Sequence, residues 1–100
     1  MARMGYEIIL SPEAVQDLKL LNAHERAKIK DLIETHLRHE PMKASKSRIK
    51  KLRGLRRPRY RLRIDDVRIF YDVSGKRVEI LAIVSKSRAN EWLDARGDKI

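Results

Sequence analysis

Arg59, Arg61 and Arg63 stand at every second position, and Arg68 follows five residues later. Side chains on a strand alternate faces, so the three share one face and Tyr60, Leu62 and Ile64 the other. Asp65-Asp66 has the length of a two-residue hairpin loop, although Asp-Asp is a weaker turn signal than Asp-Gly. A turn there sets Arg63 across from Arg68, Arg61 across from Phe70 and Arg59 across from Asp72. Like charges directly opposed on a sheet repel. They are tolerated where an anion sits between them or where acids lie nearby, here Asp65, Asp66 and Glu79. The arginine fork grips phosphate through two parallel hydrogen bonds and stays charged at any relevant pH. With Phe70 interleaved, such a face can hold a nucleic-acid backbone and stack a base.

Several elements must position that face. Tyr6 to Leu10 reads as a strand. Ser11 is a good N-cap, with Pro12 at the first helical position and Glu13 in the first turn. Ala14, Val15, Leu18 and Leu21 follow helical spacing. Asn22-Ala23-His24 is a break. A second helix is predicted from about Glu25 to Arg38, with Ile29, Leu32, Ile33 and Leu37 on one face. Lys50 to Arg53 is predicted as a short strand ended by Gly54. Arg56-Arg57-Pro58 is predicted as a connection, since proline cannot donate to a ladder. Strands follow at 60–64, 67–73 and 78–84, with turns at Asp65-Asp66 and Ser74-Gly75. Val78, Ile80, Ala82 and Val84 fall on one face of the last strand and Leu81 and Ile83 on the other. Both faces are apolar, which suits a central strand. Ser85 or Ser87 caps a final helix through about Ala95, and Gly97 suits its end. The order β-α-α-β-β-β-β-α gives an α+β domain over residues 1–100. Its sheet is antiparallel-dominated, with a helical hairpin on one face and a basic, concave opposite face.

Composition narrows the chemistry. The chain has 100 residues, 24 Lys+Arg against 14 Asp+Glu, and a net charge of +10. A surplus of that size points to an acidic polymer, an acidic protein or an anionic membrane surface. Eleven of the basic residues lie between Lys43 and Arg63, and no acid lies between Pro41 and Ile64. There is no cysteine, which removes disulfide, thiolate–zinc and iron–sulfur chemistry. No apolar run approaches the roughly 18 residues that span a bilayer. The start, Met1 to Tyr6, has no signal-peptide core. The expectation is a cytoplasmic protein. His36 and His39 have the spacing of half a metal site, but no third ligand pattern accompanies them. They are expected on the helix surface, and no metal or cofactor is expected. Tyr60 and Tyr71 are expected in the core. Trp92 either packs the last helix down or stacks on a base.

Three segments, in order, resemble the RelE/ParE superfamily of type II toxins. They are Tyr6-Glu7-Ile8-Ile9-Leu10-Ser11-Pro12-Glu13-Ala14; Lys51-Leu52-Arg53-Gly54 with Tyr60-Arg61-Leu62-Arg63; and Val67 to Val73 with Ile80 to Val84 and Lys86-Ser87-Arg88. The resemblance covers nearly the whole chain. It implies the fold just described and, in the RelE-like branch, a metal-independent endoribonuclease. Such an enzyme cuts messenger RNA in the ribosomal A site by attack of a 2′-hydroxyl on the neighbouring phosphate. It implies a cognate antitoxin, expected to be acidic and partly disordered, with operator DNA reached only through the antitoxin complex.

By matching position, the resemblance makes Arg61, Arg63, Arg68 and Arg88 the catalytic candidates. Arg68 and Arg88 would contact the scissile phosphate, and Arg61 and Arg63 would hold the backbone and the transition state. Positive groups placed where charge develops supply much of the rate in phosphoryl transfer. Lys50, Lys51, Arg53, Arg59, Phe70, Lys86 and Trp92 would bind RNA. Several relatives carry a Tyr or His near the C-terminus, where this chain has Glu91-Trp92-Leu93. Lys86 could serve as a base only if neighbouring positive charge lowered its pKa. Two other readings stand beside this one: a ParE-like inhibitor of DNA gyrase that acts by binding alone, and a non-catalytic module for RNA or ribosomes.

Overall fold

The computed structural model describes residues 5–100, so the N-terminal stretch read for a signal segment begins outside them. The elements run β1 (Glu7–Leu10), α1 (Pro12–Lys19), α2 (Ala23–Leu37), β2 (Ile49–Lys51), β3 (Leu55–Arg57), β4 (Tyr60–Ile64), β5 (Val67–Ser74), β6 (Arg77–Ser85), a 3-10 turn (Lys86–Arg88), α3 (Ala89–Arg96) and β7 (Asp98–Lys99). Five strands form one sheet in the order β1-β6-β5-β4-β2. β1 lies parallel to β6, and the other pairs are antiparallel.

Local chemistry explains most boundaries. The Ser11 hydroxyl accepts from the Ala14 N–H and donates to the Leu81 carbonyl, so the cap of α1 also ties it to β6. Asn22 caps α2 by accepting from the Glu25 N–H, which starts the helix at Ala23. Arg26 of α2 donates to the carbonyls of Leu18 and Leu21 at the end of α1. The Leu18 carbonyl also accepts from the Leu21 N–H at 3.1 Å, and the guanidinium adds to the bonds that close the end of α1. Asp65 has φ 49° in the β4–β5 turn, a left-handed conformation that Asp tolerates better than most residues. Lys28 of α2 pairs with the Asp65 carboxylate and pins this turn to the helices.

One core fills the space between the helical hairpin and the sheet. Ala14, Leu18, Ile29, Ile33 and Leu37 pack on Ile49, Leu62, Ile64, Ile69, Tyr71, Val78, Ile80 and Ile83. Burying each large apolar side chain contributes roughly 1.5–3 kcal/mol. Tyr60 and Tyr71 lie on this face, stacked with ring centroids 5.5 Å apart.

The structure adds to and corrects the sequence-based expectations. β5 and β6 are out of simple register between Phe70 and Tyr71: Phe70 lies opposite Ala82, but Tyr71 lies opposite Ile80. Leu81 is the extra residue of a β-bulge, and beyond it β6 swaps faces. Ile83 therefore joins Val78 and Ile80 in the core, while Ala82 and Val84 turn to the arginine face. Leu55–Arg57 is a strand rather than a bare connection, because the C-terminal Asp98–Lys99 returns to pair with it. Pro58 comes just after the ladder and leaves it intact. The final helix starts at Ala89 after a 3-10 turn, and neither Ser85 nor Ser87 donates or accepts a capping bond. Gly97 turns to extended backbone at the end of α3, and a Cβ there would sit 2.5 Å from the Leu93 carbonyl oxygen.

The Tyr71 hydroxyl is buried and donates to the Pro41 carbonyl at 2.6 Å. Removing it in Tyr71→Phe leaves that carbonyl unpaired and should cost about 1–3 kcal/mol. Urea unfolding of the two proteins measures the difference.

Candidate nucleic-acid interface

The register assigns the basic side chains to rows that run across the sheet. Lys50, Arg61, Phe70 and Ala82 are successive partners on β2, β4, β5 and β6. Arg63, Arg68 and Val84 form the next row. In a third, Asp72 lies opposite Glu79 and its carboxylate accepts from the Arg59 N–H at 2.6 Å. All three rows face away from the helical hairpin.

Arg61 is the most constrained member. Its Nε is buried and has no hydrogen-bond partner within the chain. Its pKa lies below the usual arginine value, first because of burial and then because of Arg68 and Arg63. The guanidinium stays charged, and its charged form is under electrostatic stress that a nearby anion would relieve. Lys50 and Arg63 beside it are exposed and contribute further positive charge.

Arg68 sits lower. It is only 7% exposed, and its Nη1 donates to the Asp65 and Val67 carbonyls at 2.8 and 3.1 Å. This arginine braces the β4–β5 turn from beneath the open face. Burial and Arg63 lower its pKa, with Asp66 opposing them. Lys86 and Arg88 are exposed in the 3-10 turn after β6, where the Lys86 N–H donates to the Asp66 carbonyl. They lie at the end of the sheet rather than on its rows. Lys51 pairs with Tyr60 and so takes the helix-side face, opposite to Lys50. Arg53 is exposed in the bend between β2 and β3.

Phe70 is covered by Trp92, which is itself partly exposed. Their rings stack on each other, with centroids 5.0 Å apart and planes 6° from parallel. Phe70 is 1% exposed. The Trp92 indole N–H donates to the Glu13 carboxylate at 2.5 Å, and Arg96 pairs with the same carboxylate at 2.8 Å. The stack and these two bonds clamp α3 over part of the arginine face.

Of the acids the sequence suggested, Glu79 lies in the site and Asp66 acts on Arg68, while Asp65 is drawn away to the helices. Asp65 is taken by Lys28, while Arg57 lies between Asp72 and Glu79, at 3.1 and 3.6 Å. Asp72 carries the buried negative charge that sequence reasoning missed, although its place across from Arg59 was legible. His36 and His39 line a small cavity with Lys43 and Arg48 on the helix side. Burial and Arg48 lower the His36 pKa. Among the described residues, no group of three His, Cys, Asp or Glu is placed to hold a metal ion. Nor is any helix among them long and apolar enough to cross a membrane.

Residues 8–90 match the family described as the ParE toxin of type II toxin-antitoxin system, parDE. This chain belongs to that family. It is a toxin of the RelE/ParE type. Its fold is similar to that of a chain in the RelB–RelE antitoxin–toxin complex from Methanococcus jannaschii, with 25% identity, a TM-score of 0.62 and coverage of 84% of this chain and 96% of that one. It is also similar to a chain of the archaeal RelE–RelB complex from Pyrococcus horikoshii, with 29% identity, a TM-score of 0.58 and coverage of 83% and 97%. The RelBE2 toxin–antitoxin complex from Mycobacterium tuberculosis matches in fold, at 21% identity and a TM-score of 0.67, over 84% of this chain and 94% of that one. Comparison with curated proteins gives no match.

The Asp72 carboxyl is held above the usual aspartate range, first by burial and also by Glu79, against the Arg59 N–H and Arg57. A carboxyl with a raised native pKa favours folding most when protonated. That contribution falls as pH rises above about 4, the unfolded value. Asp72→Asn removes the titration. Its stability relative to the unaltered protein should therefore rise between about pH 3.5 and pH 7, which urea unfolding across the series measures.

Proposed function

We propose that this toxin is a ribosome-dependent endoribonuclease that cuts messenger RNA in the A site. The observation that carries the reading is Arg61, whose buried Nε lacks a partner while Lys50, Arg63 and Arg68 crowd it with positive charge. A phosphate at the half-exposed guanidinium relieves that repulsion. In the proposed reaction the 2′-oxygen attacks the adjacent phosphorus, the bond to the 5′-oxygen breaks, and a 2′,3′-cyclic phosphate and a 5′-hydroxyl form. Arg61 and Arg63 stabilise the charge on the equatorial oxygens, and Lys50 and Arg59 hold the flanking backbone. Arg68 keeps the β4–β5 turn in shape. Arg88, Lys86 and Arg53 extend the positive field toward ribosomal RNA. The protons move to and from solvent. No metal or cofactor takes part in this scheme.

The related complexes pair toxin with antitoxin, and we extend that pairing to this chain. An acidic, partly disordered antitoxin complements a charge of +10 and folds as it binds. Operator DNA is reached through that complex, and both partners act in the cytoplasm.

A second reading, inhibition of DNA gyrase by binding alone, draws on the ParE description of the matched family. Reconstituted translation separates the two. With a defined codon in the A site, the RNase reading expects a codon-positioned cut ending in a 2′,3′-cyclic phosphate, absent without ribosomes. Arg61→Ala should slow it on the order of 10²–10³-fold, the usual loss when one transition-state donor is removed. An intact message together with blocked DNA supercoiling moves the assignment to gyrase.

A further inference from the structure

We propose that an RNA strand on the arginine face continues around the β2 edge and seats one phosphodiester between His36 and Arg48. This rests on the RNA reading above and extends the path of the strand. A cavity of about 290 Å³ opens there on the helix side, between the end of α2 and the loop that leads into β2. His36 lies in the last turn of α2 and His39 just after it, and the loop brings Lys43 and Arg48. The acid at the rim, Glu40, is paired with Lys43 at 3.7 Å. The Ser45 hydroxyl accepts from the Arg48 and Ile49 N–H groups at 3.0 and 3.1 Å, which fixes the backbone that carries Arg48.

Arg48 joins this cavity to the arginine face. Its carbonyl accepts from the Arg63 N–H at 2.9 Å, and its Nη1 donates to the Arg63 carbonyl at 3.3 Å. β2 is the outer strand of the sheet, so the two faces meet at this edge. No acid lies between Pro41 and Ile64, so the loop, β2 and β4 offer an anionic polymer no repelling carboxylate. Burial and then Arg48 hold the His36 pKa below its ordinary value. The groups facing His36 are His39 and Glu40 from its own side, Lys43 and Arg48 from the loop, and the apolar Ile49 from β2. A phosphodiester between His36 and Arg48 relieves their repulsion and favours the imidazolium. The histidine thus adds a second positive charge when the anion is present and sheds it when the cavity is empty.

The test follows the histidine ring signals of the full chain by proton–carbon NMR across a pH series. The probe is hexauridylate without terminal phosphates, which has no group of its own that titrates in the histidine range. On saturation the His36 pKa should rise by about half a unit or more. His24, exposed at the start of α2, should move by less than about half as much. Because binding favours the protonated ring, affinity rises as pH falls. A half-unit rise corresponds to about threefold tighter binding below both pKa values than above them. His36→Gln should flatten that dependence. A His36 signal that moves no more than that of His24, or an unchanged pH dependence in His36→Gln, overturns the proposal. Inorganic sulfate is the second probe. If it shifts His36 and hexauridylate does not, the cavity is a site for small anions and the RNA path falls.

The outcome is separable from that of the cleavage reading. If messages stay intact on the ribosome while hexauridylate raises the His36 pKa, the RNase assignment falls and the RNA path stands. If messages are cut and His36 does not respond, the path around β2 falls and the RNase assignment stands.

Discussion

The register of β4 against β5 rests on a two-residue turn, and the arginine face rests on that register. A slip of one residue would carry Arg61 and Arg63 to the core face and bring Leu62 and Ile64 out. The chain guards the turn from three sides. Asp65 adopts the left-handed backbone the turn needs, Lys28 ties its carboxylate to α2, and Arg68 donates into the carbonyls beneath it. Apolar packing sets the same register independently, because Leu62, Ile64, Ile69 and Tyr71 must all face the helical hairpin. The crowding of cations on the far side is what remains once the core has taken its share.

That crowding would weaken a fold of this size if it were left unrelieved. The molecule spreads the cost. Arg57 is absorbed by Asp72 and Glu79, Arg96 by Glu13 and Arg68 by backbone carbonyls. Arg61 receives no such partner at its Nε, although it is buried enough to need one. Buried polar groups without partners are rare, and their cost marks them as functional or strained. Among the described residues the Arg61 Nε is such an atom, and it lies at the centre of the basic rows.

Much of this was legible in the residues, and what was missed has physical reasons. The alternation of Tyr60 to Ile64 fixed which arginines share a face, and the turn length fixed their partners, Arg63 with Arg68 and Arg61 with Phe70. The Ser11-Pro12-Glu13 signal placed α1. The bulge at Leu81 was invisible because β6 is apolar at nearly every position, so its pattern carries no phase. The parallel pairing of β1 leaves no local mark. β7 is two polar residues long, below any periodicity. Phe70 and Trp92 are far apart in sequence, and nothing in either segment announces a stack. Arg68 reads as a surface charge from its type alone; only the carbonyls of a tight turn can hold it inside.

The proposed function rests on a phosphate bound at Arg61. Heteronuclear NMR of the arginine Nε–H groups measures this directly, with a short RNA oligomer added to isotope-labelled toxin. The account expects the Arg61 Nε–H resonance to move downfield and its solvent exchange to slow, while Arg96, already paired with Glu13, stays in place. An Arg61 resonance unmoved by saturating RNA, with shifts confined to exposed lysines, would contradict it.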